Sequence, residues 1–228
     1  KTTLAFVSLT ESGERDFTFY KGAHEAIKPS EVNLPKDTFL FHFGSLTQTN
    51  DEANKATHKL IDQAASMDAI ISYDPNIRES LWEDLNRAQE IILDTAKKVD
   101  ILKINEDEAN LLSGKENIPE AGSTLFTDNL EAIFITLGGK GCYYKTKAYE
   151  GFVPVPIRVE TIDTTGAGDA FNAGYIFAIH ETGKRIPEMT KEELELGLKR
   201  ANIIGALTTT KKGAIDACPT IKDLKQYI

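Results

Sequence analysis

Hydrophobic residues near the start of the chain follow the short pattern of β-strands. Residues 4–9 and 16–20 are rich in apolar residues, and the polar segment Glu11-Ser-Gly-Glu14 separates them. A turn-forming segment between two such runs is typical of a β-hairpin. Apolar and polar residues alternate in the second run, which favours a sheet with one exposed face. We therefore predict a two-stranded hairpin over residues 4–20.

After Pro35, short apolar runs alternate with segments that carry apolar residues at helical spacing. The runs that read as strands buried on both faces are residues 38–43, 69–73, 100–104 and 132–137. The segments that read as helices are residues 51–67, 79–98 and 107–112. This alternation indicates βαβ crossovers and an α/β fold, a doubly wound, mostly parallel sheet with helices on both faces. Ligands of such sheets bind beyond the carboxyl ends of the strands, so a site is expected after Tyr73, Ile104 and Leu137.

The composition narrows the class of ligand. The 228 residues include 26 Lys and Arg against 35 Asp and Glu, which gives a net charge of −9. An acidic protein of this kind lacks the broad basic surface that binds nucleic acid or an anionic membrane. No apolar run reaches the roughly 20 residues of a membrane span. A phosphate ligand stays compatible, because a few backbone amides and one or two cations can hold it.

The cysteines and histidines indicate a cytoplasmic protein without a zinc site. Cys142 and Cys218 are far apart and form no CxxC motif, and the four histidines show no metal-ligand spacing. Two unpaired thiols suit a reducing compartment. The chain also opens at Lys1 without a signal peptide, so we expect a cytoplasmic location.

Residues 163–176 combine a small, flexible turn with the start of a helix. Thr165-Gly-Ala-Gly168 precedes residues that are apolar at helical spacing, and Asp169 falls in the first helical turn. A glycine turn at a helix N-terminus exposes unpaired amides to an anion, which the helix dipole also favours. A carboxylate there can accept a proton from an attacking hydroxyl. The alternative is a tight turn with an N-capping aspartate.

The whole segment Asp163-Thr-Thr-Gly-Ala-Gly-Asp169 resembles the C-terminal signature of the PfkB carbohydrate kinases, which have the ribokinase-like fold. The resemblance implies an ATP-dependent sugar kinase in which the amides of Gly166, Ala167 and Gly168 form the anion hole for the transferring phosphate. It also implies that Asp169 is the catalytic base and contacts the sugar hydroxyl. Phosphoryl transfer depends on positioning and charge stabilisation, which this arrangement supplies.

Two further segments at predicted strand ends resemble motifs of the same family. Asn105-Glu-Asp-Glu108 is similar to its N-x-x-E motif, which places Asn105 near ATP and Glu108 near Mg²⁺ through water. In isolation, these acids read equally well as the start of a helix. Thr136-Leu-Gly-Gly-Lys-Gly141 is similar to the family's nucleotide loop, which places Thr136, Gly138, Gly139 and Gly141 at ATP. Without that context, a plain β-turn is the alternative, since the segment is neither a Walker A nor a Rossmann motif.

Asp74-Pro-Asn-Ile-Arg78 resembles a segment of fructokinases and 2-keto-3-deoxygluconate kinases. In those enzymes the arginine reaches the phosphates or the sugar, and a planar guanidinium suits either ligand. The resemblance therefore assigns Arg78 to ATP binding. A surface ion pair with Glu79 or Glu83 is the alternative.

The segment from Ala201-Asn202 to Gly213-Ala214 resembles the family's adenine-pocket helix and the loop after it. The resemblance places Asn202 near adenine. It also implies a monovalent cation, such as K⁺, held by backbone or side-chain oxygens. The residues that would surround this cation are Asp163, Thr165, Thr208, Lys211 and Gly213.

The resemblance also divides the chain. Residues 1–35 match part of a small β-lid and its connection to the core, and residues 36–228 match the nucleotide-binding and catalytic domain. The first strand and glycine pair with which family members bind the sugar have no counterpart here, so the N-terminal portion of the fold is expected to be absent. Lys21 stands where related kinases carry an arginine that faces the sugar, and it reads either as a substrate contact or as a solvated lid residue. A homodimer through the lid is a further expectation.

Among kinases of this family, residues 102–108 and 213–220 look most like fructokinases. Fructose, converted to fructose 6-phosphate, is therefore the expected substrate beside ATP. The alternatives are 2-keto-3-deoxygluconate kinase, another sugar kinase of the family, and a catalytically silent nucleotide-binding regulator. The joint presence of Asp169, the anion-hole glycines and Glu108 speaks against the silent regulator.

Overall fold

The structure is a computed structural model that describes residues 1–9 and 15–227. The chain divides into two compact units, Lys1–Asp100 and Ile101–Ile228. Across the described ranges, no helix combines the length and the apolar character needed to cross a bilayer.

The first unit opens with the predicted hairpin. Strands β1 (Leu4–Leu9) and β2 (Arg15–Tyr20) pair antiparallel, with Leu4 opposite Tyr20. Leu4, Phe6 and Tyr20 are each about half exposed or more, so this ribbon presents apolar side chains to solvent. The two strands confirm the prediction, while the predicted turn at residues 11–14 lies outside the described residues.

A βαβ unit follows in the first unit. Strand β3 (Leu40–Phe43), helix α1 (Asp51–Ser66) and strand β4 (Ile70–Tyr73) form it, and the two strands pair in parallel. The helix begins after Asn50, whose side chain accepts hydrogen bonds from the amides of Glu52 and Ala53, as an N-cap should. The apolar face of the helix is buried through Ala53, Ala56, Ile61 and Ala64. This part of the predicted βαβ pattern is confirmed.

Helix α2 (Leu85–Ala96) is shorter than the predicted helix over residues 79–98. Residues 79–81 form a separate 3-10 turn, and Trp82 is extended. Asp84 sets the new start, because its carboxylate accepts a hydrogen bond from the amide of Asn86 at 2.8 Å. The predicted start was wrong because the helical spacing of Trp82 and Leu85 outweighed this cap signal.

Within the second unit, the strands follow the order β5-β6-β7-β8. Strands β5 (Ile101–Asn105) and β6 (Ala132–Thr136) pair in parallel, and helices α3 (Glu106–Ser113) and α4 (Ile118–Leu125) connect them. Strands β7 (Cys142–Thr146) and β8 (Glu150–Val153) continue the sheet antiparallel. The glycine-rich segment 137–141 thus joins two antiparallel strands, a connection that the sequence pattern did not predict.

Three helices complete the second unit: α5 (Ala167–Thr182), α6 (Lys191–Thr208) and the short α7 (Ile221–Leu224). Helices α5 and α6 lie so close that a Cβ atom on Gly174 would stand 2.6 Å from the Cα atom of Ala201. Glycine at this position therefore allows the two backbones to approach. Near the end of α6, a Cβ atom on Gly205 would stand 3.1 Å from the carbonyl oxygen of Ala167. This packing brings the last turns of α6 against the first turn of α5.

Candidate active site

The first turn of α5 has a backbone geometry that suits an anion. Gly166 precedes the helix with φ +78°, a left-handed conformation that glycine adopts without strain. Within the described part of the chain, the amides of Gly166 and Gly168 have no hydrogen-bond acceptor, whereas the amide of Ala167 donates to the carbonyl oxygen of Thr164 at 3.2 Å. Two unpaired amides and the positive end of the helix dipole therefore meet at one place.

Asp169 lies in the same helical turn and is exposed. Among the described residues, its carboxylate has no hydrogen-bond or ion-pair partner in the structure. An N-capping role is excluded here, because the residue that precedes α5 is Gly166 and its cap involves no side-chain hydrogen bond. The carboxylate is thus available to a ligand at the helix N-terminus.

Asp163 holds two loops of the site together. Its Oδ1 accepts hydrogen bonds from the amide of Thr165 at 2.9 Å and from the hydroxyl of Thr165 at 2.7 Å. Its Oδ2 accepts from the amide of Gly213 at 2.9 Å. A single carboxylate therefore fixes both the turn before α5 and the loop after α6.

Thr208 and Lys211, which the resemblance also assigns to a monovalent cation, do not join the hydrogen bonds around Asp163. The Thr208 hydroxyl is buried and donates to the carbonyl oxygen of Ile204 in its own helix. Lys211 has an exposed side chain. The structure thus brings Asp163, Thr165 and Gly213 together by hydrogen bonds, and it shows no such bond for the other two in the described region.

Asn105 and Glu108 form a capping box at the start of α3. The Asn105 side chain accepts from the amide of Glu108 at 2.8 Å, and Glu108 Oε2 accepts from the amide of Asn105 at 2.9 Å. Glu108 is only 5% exposed. The helix-start interpretation of these residues is therefore correct.

A cavity of about 500 Å³ opens in the second unit beside α5 and α6. Seven residues assigned to ATP or to the anion hole line it, namely Thr136, Gly138, Gly139, Gly141, Ala167, Gly168 and Asn202. The nucleotide loop, the start of α5 and helix α6 thus converge on one cavity, although they are distant in sequence. Sequence reasoning missed a further wall made by residues 155–161, which belong to no helix or strand. The sequence pattern that could have indicated this wall is the alternation of apolar and polar residues in Val155-Pro-Ile-Arg-Val159.

Asn202 is held in a fixed orientation at this cavity. Its Nδ2 donates to the carbonyl oxygen of Val153 at 2.8 Å and contacts the Cys142 sulfur at 3.8 Å. Burial raises the pKa of the Cys142 thiol to about 12, so the thiol stays neutral. Because Nδ2 is engaged, the amide oxygen of Asn202 is the group left for a ligand.

Lys21 and Arg78 belong to the first unit. Lys21 forms an ion pair with Glu25 at 2.9 Å in a partly exposed position. Arg78 is half-buried, and its Nη1 donates to the carbonyl oxygen of Ile77 at 3.3 Å. The roles assigned to both residues stay predictions.

Comparison with known proteins supports the resemblance over the full chain. The model of the pfkB family carbohydrate kinases matches residues 1–221. Fructokinase-1 of Zea mays is 36% identical over 100% of this chain and 71% of its own length. No single motif carries this agreement, since it extends through both units.

Solved structures of fructokinases agree in fold. A double mutant of fructokinase from Vibrio cholerae O395, in its fructose, ADP and potassium ion bound form, has a TM-score of 0.90 and 29% identity. The match covers 100% of this chain and 73% of that one. Fructokinase from Xylella fastidiosa with bound ATP has a TM-score of 0.89 and 25% identity, with 98% and 72% covered. The predicted doubly wound, ribokinase-like fold with part of a small lid is confirmed, and the chain belongs to the pfkB family of carbohydrate kinases.

Proposed function

We propose that the protein is a fructokinase that transfers the γ-phosphoryl group of ATP to the 6-hydroxyl of fructose. The observation that carries the proposal is the first turn of α5, where exposed Asp169 follows Gly168, whose amide is unpaired among the described residues and which lines the cavity. A base next to an anion-binding helix N-terminus suits phosphoryl transfer to a hydroxyl. Family membership and the similarity to fructokinases support a sugar as the acceptor.

In this proposal Asp169 accepts the proton of the attacking hydroxyl, and the amides of Gly166, Ala167 and Gly168 hold the transferring phosphate. The amide of Ala167 is partly engaged with Thr164. We therefore assign the larger share of the anion hole to Gly166 and Gly168. Both amides are preorganised, so no reorganisation is needed when charge develops on the phosphoryl oxygens.

ATP is assigned to the cavity beside α5 and α6. Its walls include apolar side chains of the segment 155–161 and Phe171, which suit a purine base, and the glycines of the loop 137–141. Asn202 then presents its amide oxygen to adenine. Arg78 and Asn105 complete the proposed ATP contacts, and Lys21 is the proposed contact to the sugar.

The donor set near α3 fits a magnesium ion that is carried mainly by the nucleotide. No group of three potential side-chain ligands for a metal ion occurs among the described residues. Mg²⁺ usually keeps several waters and takes one or two carboxylates beside substrate phosphates, and buried Glu108 can serve as such a carboxylate. When bound, the ion would neutralise charge on the phosphates.

We predict that Glu108→Gln raises the Mg²⁺ concentration for half-maximal rate by about 10-fold, the range expected for loss of an outer-sphere carboxylate. Glutamine keeps an oxygen that can accept from the Asn105 amide, so the helix start is preserved while the charge is lost. Titrating Mg²⁺ at saturating ATP and fructose measures the effect. Asp107→Asn, an exposed acid in the same turn, should leave the profile unchanged. An unchanged profile for Glu108→Gln would reduce Glu108 to a capping residue.

A monovalent cation such as K⁺ is proposed beside the loops that Asp163 connects. The convergence of Asp163, Thr165 and Gly213 supports this placement, and backbone oxygens of residues 208–213 would supply further ligands. The oxygen-rich ligand set suits a hard cation.

The remaining proposals concern organisation. Residues 1–35 form part of a β-lid, residues 36–228 form the catalytic domain, and the lid mediates a homodimer. The exposed apolar side chains of the β1–β2 ribbon support the dimer. We also place the protein in the cytoplasm, because Cys142 and Cys218 are both unpaired.

The function is tested by coupled ADP release with a panel of acceptors. The protein, expressed from its complete coding sequence, is expected to consume ATP fastest with fructose. 2-Keto-3-deoxygluconate, ribose and glucose serve as competing acceptors. A clear preference for 2-keto-3-deoxygluconate, or ATP binding without turnover on any sugar, would contradict the proposal.

A further inference from the structure

The cavity beside α5 and α6 is lined mostly by uncharged groups. Glycines, threonines and apolar side chains make up most of its wall, and among the described residues that line it Arg158 is the one with a charged side chain. Glu160 and Asp163, the acids that follow in the chain, do not line the cavity. A ligand that enters the cavity therefore meets one side-chain charge, and that charge is positive.

The guanidinium group of Arg158 is available to a ligand. The side chain is exposed, and within the described part of the chain it has no hydrogen-bond or ion-pair partner. The other two arginines of the second unit are held by carboxylates, Arg185 by Glu131 at 2.6 Å and Arg200 by Glu181 at 2.5 Å. An arginine without such a partner keeps its charge and its N–H donors for an anion.

Arg158 stands between the two ends of the proposed nucleotide site. Earlier in the chain, the carbonyl oxygen of Val153 accepts a hydrogen bond from Asn202, the residue assigned to adenine. Later in the chain, the carbonyl oxygen of Thr164 accepts one from the amide of Ala167 in the first turn of α5. Arg158 lies midway along the segment that connects these two points, where the α- and β-phosphates of ATP would pass.

Lys140 is a second cation in this part of the chain, but it is placed differently. It stands between Gly139 and Gly141, which line the cavity, and is itself not part of the lining. Its ammonium group lies 3.8 Å from the Glu106 carboxylate, and its side chain is 75% exposed. Arg158 is therefore the cationic side chain with direct access to the cavity.

The charge of the whole chain makes such a cation consequential. A net charge of −9 opposes the approach of a polyanion such as ATP. A group of opposite sign in a cleft raises the local concentration of a charged ligand and its association rate. Charges at the rim of a binding site change mainly the association rate constant and its dependence on salt.

We propose that Arg158 selects phosphorylated nucleotides, because its charge attracts the α- and β-phosphates of ATP and speeds their entry into the cavity. The inference rests on the proposed function, which assigns ATP to this cavity. It concerns the entry of the nucleotide and not the transfer step. A neutral nucleoside with the same base, adenosine, gains nothing from this charge.

The test measures association of ADP and of adenosine, each with a fluorescent N-methylanthraniloyl label, by stopped flow with the protein expressed from its complete coding sequence. We expect Arg158→Gln to lower the association rate constant of ADP by about 10-fold at low ionic strength, the lower end of the range for electrostatic steering. Association of adenosine should stay unchanged. Arg158→Glu should slow ADP further, and Arg158→Lys should keep most of the rate.

Salt provides a second measurement that a change of shape cannot imitate. The difference between the unmodified protein and Arg158→Gln should shrink as salt rises from about 0.01 M to about 1 M, since the screening length falls from roughly 30 Å to about 3 Å. Lys147→Gln is the matched control. Lys147 is exposed in the turn after β7, at the opposite end of that strand from Gly141, which lines the cavity. The control should leave both association rates unchanged.

Three results would overturn the inference. ADP association in Arg158→Gln that equals that of the unmodified protein would remove the charge from nucleotide entry. Equal slowing of ADP and adenosine, or a difference that salt does not reduce, would make Arg158 part of the shape of the wall. If Arg158→Gln and Arg158→Glu fail to fold, Arg158→Lys decides, because fast ADP entry lost despite the retained charge would also refute the role. Absence of ADP and adenosine binding in the unmodified protein would instead contradict the proposed function.

Discussion

Replacing Asp169 with asparagine is expected to lower kcat by a factor of about 10² to 10⁴, the usual contribution of a positioned general base. Asparagine has nearly the same shape but cannot take up the hydroxyl proton at neutral pH. ATP affinity should stay nearly unchanged, because Asp169 is exposed at the start of α5 and has no hydrogen bond to the rest of the described chain that its loss would disturb. Coupled ADP release measures kcat, and a binding titration with ATP measures the ATP affinity.

The control for this variant is Asp128→Asn, an exposed aspartate in the loop before β6. It removes the same charge from the same unit, away from the residues that line the cavity. Its turnover should equal that of the unmodified protein. If Asp169→Asn keeps most of its activity, another group is the base; if it loses ATP binding instead, the defect lies in the site's architecture.

Replacing Gly166 with alanine is expected to lower kcat/KM by about 10² to 10³, the loss seen when an anion-hole donor is displaced. Two physical causes act together. The left-handed backbone, with φ +78°, disfavours any side chain by roughly 1–2 kcal/mol. In addition, the new Cβ atom would stand 2.8 Å from the Cβ atom of Ala214, so the turn or its partner loop must move. Steady-state kinetics measures the loss of kcat/KM, and urea denaturation measures the loss of the free energy of unfolding.

Gly183 offers a matched control for Gly166. It ends α5 in the same left-handed conformation, with φ +64°, and an added Cβ atom would meet nothing within 4 Å. Gly183→Ala should therefore lose only the part of the free energy of unfolding that backbone strain costs, and it should keep full turnover. A double variant, Gly166→Ala with Ala214→Gly, removes the contact but not the backbone strain, and we expect it to recover part of the activity. Equal kinetic losses in the Gly166 and Gly183 variants would show that stability, not the anion hole, limits the rate.

The predictions and the structure agree best where the residues that support a prediction lie close together in the sequence. The turn and helix start at residues 163–176 could be predicted because glycines, a first-turn carboxylate and helical spacing occur in one short segment. The same holds for the strands from β3 to β6, whose apolar runs reflect burial on both faces. The family comparisons then confirmed the fold and the kinase class that this segment implied. The roles of individual residues stay predictions that the variants above are designed to test.

Other features became visible only in three dimensions. Strands β7 and β8 escaped prediction because the glycine loop before them suggested a ligand site rather than a strand connection. The cavity wall at residues 155–161 escaped because a segment outside any helix or strand has only a weak periodic pattern. Other residues that line the same cavity, such as Thr136 and Asn202, are distant from this segment in the chain.

The sequence by itself determined the class of fold, the order of the central strands and helices, and the anion-binding turn with its carboxylate, since each depends on residues within about one element of each other. The tertiary structure alone decided which distant groups meet. It joined Asp163 to Gly213 across 50 residues and oriented the Asn202 amide through Val153. Such contacts depend on strand register and on the close approach of α5 and α6, neither of which leaves a periodic pattern in the chain.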